Sequence, residues 1–246
     1  ILFNFGIIVI RWYSLAYIVG IVLGWSYCKK RLIKDQYILS LFDDFVTYLI
    51  IGVILGGRLG YAIFYNFKYY LDNPLEILMV WNGGMSFHGG LIGVIIAAQI
   101  FSNKHKVDQF IFLDLVALSA PIGIFFGRIA NFISSELIGR STDLPWSVQF
   151  ILIDNIKRHP SQLYEAFFEG IILFLLLGYF FKKNYLQNSG KISALFLIFY
   201  SLFRFFTEFF RSPDPQIGYL ILHLTQGQLI SILFLIAGII LFYFKK

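Results

Sequence analysis

Long apolar runs separated by short polar and basic gaps extend through the chain. A helix needs about 20 residues to cross a hydrocarbon core about 30 Å thick, with a working range of roughly 17–25. Seven runs fit that requirement: Arg11–Tyr27, Phe42–Tyr65, Gly84–Phe101, Phe110–Ala130, Leu163–Phe181, Ile192–Phe209 and Gln226–Phe244. Ionisable residues inside several of them, Arg58, Arg128, Glu165, Glu169, Arg204 and Glu208, lower their hydropathy and mark them for chemical scrutiny. The gaps differ in character. Asn66–Gly83, with Tyr69, Tyr70 and Trp81, suits a segment lying at headgroup level. The insert at 134–162 is the longest polar stretch, contains Pro145, Trp146 and Pro160, and is the candidate for a small extramembrane head. Arg211–Thr225, with Pro213 and Pro215, forms a third connection. The pattern predicts an all-α integral membrane protein, residues 1–246 forming one polytopic domain of about seven transmembrane helices.

Composition leads to the same solvent. The residues AVILMFWYC make up 58% of the 246 and DEKR only 14%, against about 25% charged residues in soluble proteins. Twenty-nine phenylalanines and a mean hydropathy of +0.74 exceed what a water-soluble globule of this size can hide. The net charge of +6 does not indicate nucleic acid, because the basic residues form no single face. Cys28 is the one cysteine, so an internal disulfide and a CxxC metal site are both excluded.

The basic residues instead set an orientation. With the N-terminus outside, the inner gaps hold eleven of the twenty Lys and Arg, in clusters around Lys29–Lys34, Lys104–Lys106, Lys182–Lys191 and Lys245–Lys246. The outer gaps hold five, Arg11, Lys68, Arg140, Lys157 and Arg158. An excess of Lys and Arg marks the cytoplasmic side, which predicts an outside N-terminus and a cytoplasmic C-terminus. The first run has no small-residue cleavage site and reads as a permanent span. The sequence begins at Ile1 without Met, which predicts a truncated or processed start.

Under this topology Tyr13, His88, Arg128, Asn131, Arg204, Glu208 and Arg211 share the outer half of the membrane, where each ionised group needs a reason to be. Arg58 follows Gly56 and Gly57 and can pair with a carboxylate, snorkel, or serve a site. His88, in WNGGMSFHGGLIG, is either a hydrogen-bonded interfacial residue or a base, and the glycines beside it allow close helix approach or leave room for lipid. In GRIANFISSELIGR, Arg128 and Asn131 lie three apart on one helix face, and the guanidinium fork suits a phosphate diester or carboxylate. The plainer reading is an interfacial cap in which Glu136 pairs with Arg140. In FRFFTEFFR, Glu208 can neutralise Arg204 at i,i+4, which leaves Arg211 over. RHPSQLYEA reads as a helix start with Ser161 as N-cap and Glu165 beyond it. Arginines converging with few carboxylates point to an anion, and a phospholipid headgroup is the anion available at that depth.

RWYSLAYIVG, LGGRLGYAIFYN, WNGGMSFHGGLIG, GRIANFISSELIGR, RHPSQLYE, FRFFTEFFRSPDPQ and GQLISI occur in one order along nearly the whole chain. In these motifs the sequence resembles the bacterial prolipoprotein diacylglyceryl transferases. It departs from the family pattern at Ser134, where Asn is usual, and altered local packing is expected there. The resemblance implies a multi-pass protein of the bacterial inner membrane with a small periplasmic head. It implies transfer of the sn-1,2-diacylglyceryl group from phosphatidylglycerol to the lipobox cysteine thiol in a prolipoprotein signal peptide, releasing glycerol 1-phosphate. The family's important positions fall on Tyr13, His88, Arg128, Asn131, Glu136, Gly139, Arg204 and Glu208. In that reaction His88 is the candidate base for the thiol, and Arg128 and Arg204 stabilise the leaving phosphate. Tyr13 and Asn131 orient substrate, and Glu136 and Glu208 hold the arginines. Arg128, Asn131, Glu136, Gly139, Glu208 and Arg211 form the expected substrate-binding set, with no metal and no organic cofactor. Cys28, at the cytoplasmic end of its helix, is not expected to carry a covalent intermediate. A small transporter and a non-catalytic phospholipid-binding protein are the alternatives.

Overall fold

A computed structural model describes residues 3–4, 9–10, 12–183, 188–213 and 218–245. Arg11, Pro215 and Lys246, used above for the first span, the third outer connection and the charge alternation, lie outside the described residues. Eight helices carry the fold: α1 Trp12–Tyr27, α2 Gln36–Phe64, α3 Phe67–Asp72, α4 Phe87–His105, α5 Gln109–Ile133, α6 Ser161–Lys182, α7 Lys191–Thr207 and α8 Gln226–Phe244. Each of the seven apolar runs is helical over most of its described residues, the third only from Phe87. Among the described residues, five helices are long and apolar enough to cross a membrane: α2, α5, α6, α7 with its added turn to Phe210, and α8. The 22 residues of α6 rise about 33 Å at 1.5 Å each, the thickness of a hydrocarbon core. α1 has 16 residues and so falls short of the length, while α4 has 19 but carries His88, Gln99, Asn103 and Lys104. The protein is therefore an all-α integral membrane protein.

Local sequence explains the helix starts. The Asp35 carboxylate accepts from the backbone N–H of Tyr37 and Ile38 at α2, the Ser86 hydroxyl accepts from Gly89 N–H at α4, and Thr225 and Gln228 form a capping box at α8. α7 is capped from another helix: Asp114 of α5, fully buried, accepts from Gly190 N–H at 2.8 Å, Ser193 N–H at 2.7 Å and the Ser193 hydroxyl at 2.6 Å. Ser161 is the first residue of α6, after Pro160, and its hydroxyl donates to Leu137 O at 3.2 Å instead of capping its own helix.

The chain forms two compact units, one of residues 1–28 and 114–246, the other of residues 29–113. In the second unit, α2 and α4 pack through facing glycines. A Cβ at Gly93 would come within 2.0 Å of Gly52 O, so only glycine permits this approach. Arg58 is buried there and donates to the carbonyls of Ile77 at 2.9 Å, Glu76 at 2.6 Å, Met79 at 3.0 Å and Gly83, with its guanidinium over the Tyr70 ring. It is thus a clamp on the connection after α2, with backbone dipoles serving as acceptors.

In the first unit, α1 meets α5 where Gly20 faces Gly123, and α7 meets α8 at Gly238. Between α5 and α6 lies a small head. Near the start of the chain β1 (Phe3–Asn4) pairs with β2 (Val9–Ile10), and the head's hairpin pairs β3 (Val148–Gln149) with β4 (Lys157–Arg158). Residues 138–142 bond to 157–159 on one side and to 210–212 on the other, through His159 N–H to Arg140 O, Thr142 N–H to Lys157 O, Arg140 N–H to Phe210 O and Ser212 N–H to Ile138 O. This antiparallel ladder ties the head to the end of α7, where Arg211 sits.

Candidate functional site

Three arginines and three glutamates meet where α5, α6 and the end of α7 come together in the first unit. α6 supplies its centre, with Glu165 and Glu169 one turn apart and both fully buried. Residues Ala166–Ile172 of α6 are wound as a π-helix, a local widening often found at functional sites. Gly170 lies against Phe125, where a Cβ would be 2.8 Å from the Phe125 Cβ, so the π-segment approaches α5 closely. Arg128 is three residues farther along α5. Its guanidinium spans both acids, NH1 to Glu165 Oε2 at 2.9 Å and NH2 to Glu169 Oε2 at 3.0 Å.

Arg204 approaches the same acids from α7. NH1 lies 2.7 Å from Glu165 Oε1 and 3.5 Å from Glu169 Oε1, and NH2 lies 2.5 Å from Glu208 Oε2. Glu208 is itself held by the Thr225 hydroxyl at 3.0 Å, and a Cβ at Gly227 would lie 2.8 Å from the Glu208 carboxyl carbon, so glycine there leaves room for the carboxylate. Thr207 donates to Glu169 Oε1 at 3.2 Å. Arg211 completes the set with NH1 3.6 Å from Glu165 Oε1.

Formal charges cancel in this set, which corrects the picture of arginines converging with few carboxylates. Its asymmetry is in access. The side chains of Arg128, Arg204 and Arg211 keep 15%, 12% and 17% of their surface, whereas Glu165 and Glu169 keep none. Glu165 and Glu169 are sealed, while each arginine side chain keeps some access. Each guanidinium carries five N–H donors, more than its carboxylate contacts use, so donors remain for a further anionic acceptor.

The other residues singled out in the sequence have different surroundings. Tyr13 and Tyr17 share a hydrogen bond between their hydroxyls at 3.0 Å, and Tyr17 lies within electrostatic reach of Arg128. Asn131 is buried and its Nδ2 donates to Glu136 Oε2 at 3.0 Å. Glu136 therefore engages Asn131 and does not hold an arginine; Gln162, also buried, donates to the Glu136 carbonyl at 2.6 Å. Arg140 pairs with neither: its Nε donates to Arg211 O at 2.9 Å and its guanidinium lies over Tyr219. Gly139 bridges to Arg211, and a Cβ there would come within 2.1 Å of His159 O, so any side chain would push apart the ladder that carries Arg211. His88 is the second residue of α4, half-buried, in the other unit. Cys28 is buried, its thiol donating to Leu115 O at 3.6 Å.

Sequence reasoning missed Glu165 and Glu169 as the anchors. Two acids spaced i,i+4 inside an apolar run were the available signal, obscured by the helix-start motif before them.

The chain matches the family model described as prolipoprotein diacylglyceryl transferase over residues 1–244. It is similar to proteins named phosphatidylglycerol–prolipoprotein diacylglyceryl transferase. The relative from Rickettsia bellii is 52% identical over 244 residues, covering 98% of this chain and 93% of the relative. Those from Rickettsia akari and Rickettsia felis are 50% and 49% identical over 241 residues, covering 97% of this chain and 93% of each relative.

Proposed function

The chain belongs to the prolipoprotein diacylglyceryl transferase family, and we propose that it moves the sn-1,2-diacylglyceryl group of phosphatidylglycerol onto the lipobox cysteine of a prolipoprotein signal peptide. The observation that carries this reading at the level of residues is the Arg128–Arg204–Arg211 face backed by buried Glu165 and Glu169.

The acceptor sulfur attacks the glyceryl carbon that bears the phosphate ester. A carbon–sulfur bond forms, the carbon–oxygen bond breaks, and the electron pair leaves on glycerol 1-phosphate. Two barriers must fall. A free thiol has a pKa of about 8.5, so the thiol proton needs an acceptor at neutral pH, and His88 takes that role. The phosphate gains charge as it departs, and Arg128 and Arg204 stabilise it, an effect of several kcal/mol in a water-poor site. The carboxylates fix the guanidiniums beforehand, so little reorganisation accompanies bond breaking. Arg211 adds a third donor, held by the Gly139 bridge, while Tyr13 and the Asn131–Glu136 pair orient substrate. The reacting sulfur is the acceptor's, since Cys28 is sealed in its helix contact.

We place the protein in a bacterial inner membrane with its N-terminus outside and its C-terminus cytoplasmic, on the distribution of Lys and Arg among the gaps. In that orientation the ends of α5 and α7 that carry the arginines, and the start of α6, face the periplasm with the head.

Purified protein in phosphatidylglycerol vesicles with a lipobox peptide tests the activity. A thioether-linked diacylglyceryl peptide is expected, and an acceptor with Ser for Cys should give none. Absence of product beside an active control enzyme refutes the proposal. Replacing His88 by Gln should leave phosphatidylglycerol binding intact and slow transfer; unchanged transfer removes His88 as base.

A further inference from the structure

The head carries an apolar tip that the transfer chemistry does not use. Between β3 and β4 the chain turns through Ile151, Leu152 and Ile153, whose side chains are 80%, 82% and 54% exposed. Three consecutive branched apolar residues facing water are a hydrophobic liability unless something covers them.

The turn is pinned. Ile153 N–H and Asp154 N–H both donate to Phe150 O, at 2.7 and 3.0 Å, and Gln149 Nε2 donates to Asn155 O at 3.0 Å. Asp154 accepts from Ile156 N–H at 3.1 Å and pairs with Arg158 at 2.5 Å. The tip is thus presented by a built turn.

Two contacts fix its depth. Phe150, immediately before the tip, is buried with its ring 5.8 Å from that of Phe132, in the last turn of the spanning helix α5. At the hairpin's base, Trp146 is exposed and its indole N–H donates to the Tyr164 hydroxyl at 2.7 Å, in the first turn of the spanning helix α6. Both tethers lie where helices leave the hydrocarbon, the level at which exposed Trp collects and at which the headgroup layer is several ångströms thick. Lys157, exposed on β4, adds a positive charge suited to anionic headgroups.

We propose that Ile151, Leu152 and Ile153 insert into the headgroup–acyl boundary of the outer leaflet and anchor the head to the lipid surface from which its substrate comes. The occupant is phospholipid, because the tip is tied to the membrane ends of two spanning helices.

A polarity-sensitive bimane on Leu152→Cys tests this in nanodiscs of phosphatidylglycerol and phosphatidylcholine, with Ile151→Cys as a second site and Asp143→Cys, exposed elsewhere in the head, as the aqueous reference. Cys28 is buried, and wild-type protein taken through the same labelling supplies the background. Both tip labels should emit blue-shifted from the Asp143 label, be quenched by doxyl-labelled lipid and be shielded from iodide. Emission and iodide quenching equal to the Asp143 label would overturn the proposal. Shielding that arises only on adding lipobox peptide, or only with two protein copies per disc, would also overturn it, assigning the tip to the peptide or to a second chain.

Discussion

Glu165→Gln removes one charge from the centre of the cluster while keeping nearly the same volume. Glu165 has no exposed surface and lies 2.9 Å from Arg128, 2.7 Å from Arg204 and 3.6 Å from Arg211. The variant leaves three guanidiniums against Glu169 and Glu208. At an effective dielectric of about 20, two unit charges 4 Å apart attract by about 4 kcal/mol. The amide oxygen still accepts one hydrogen bond and the arginines keep some contact with solvent, so the net loss is smaller than the sum of the pairs. Removing one partner of a buried ion pair costs about 3–5 kcal/mol, and the lower end applies here. For a chain of this size that corresponds to a fall of roughly 6–12 °C in Tm by the relation for water-soluble domains. The excess positive charge gives a second, opposite readout: glycerol 1-phosphate should raise the variant's Tm more than the wild type's. Thermal unfolding in detergent with and without glycerol 1-phosphate, paired with transfer to a lipobox peptide, measures both. Transfer should fall at least about tenfold through loss of about 1.4 kcal/mol or more of transition-state stabilisation. Wild-type Tm, wild-type rate and no added response to glycerol 1-phosphate would refute the role assigned to Glu165.

Arg58→Ala should cost about 3 kcal/mol or more and expose the 66–84 segment to limited proteolysis, because several buried carbonyls lose a charged donor together; an unchanged cleavage pattern would refute the clamp. Asp114→Ala should destabilise by about 2 kcal/mol, since it strips three hydrogen bonds from the start of α7, and hydrogen exchange there should rise while that of α8 changes less. For His159, desolvation pushes the pKa below the ordinary histidine value of about 6.5. The folded state therefore binds this proton less readily than the unfolded chain. Its contribution to stability is present above pH about 6.5 and is lost as pH falls through the lowered folded value. The Tm difference between wild type and His159→Gln should change with that sign between pH 7 and pH 5, and a flat difference would contradict it.

Hydropathy is a local property, so the seven helical stretches were legible from the order of residues alone. So was the i,i+4 pairing of Arg204 with Glu208. Partners fixed by tertiary contact were not. Arg128 finds Glu169 across 41 residues and Arg204 finds Glu165 across 39, and the Pro160–Ser161 start drew attention away from the acids. Arg58 read as a charge that pairs with a carboxylate, snorkels or serves a site, but its acceptors are main-chain carbonyls, which any residue type supplies. Glu136 sits in the same short motif as Arg128 and Arg140, yet the left-handed turns at Ser135 and Leu137 bring it back to Asn131. Gly139 was visible as a motif position; its physical reason, the His159 carbonyl 2.1 Å from where a Cβ would be, required the fold.

We propose that the guanidiniums of Arg128 and Arg204 receive the phosphate of phosphatidylglycerol while Glu165 and Glu169 hold them in place. A structure of the protein in nanodiscs with phosphatidylglycerol bound tests it most directly. Phosphate oxygens are expected within hydrogen-bonding distance of both arginines, with the carboxylate contacts kept. A phosphate bound elsewhere, with Arg128 and Arg204 engaged only by their glutamates, would contradict it.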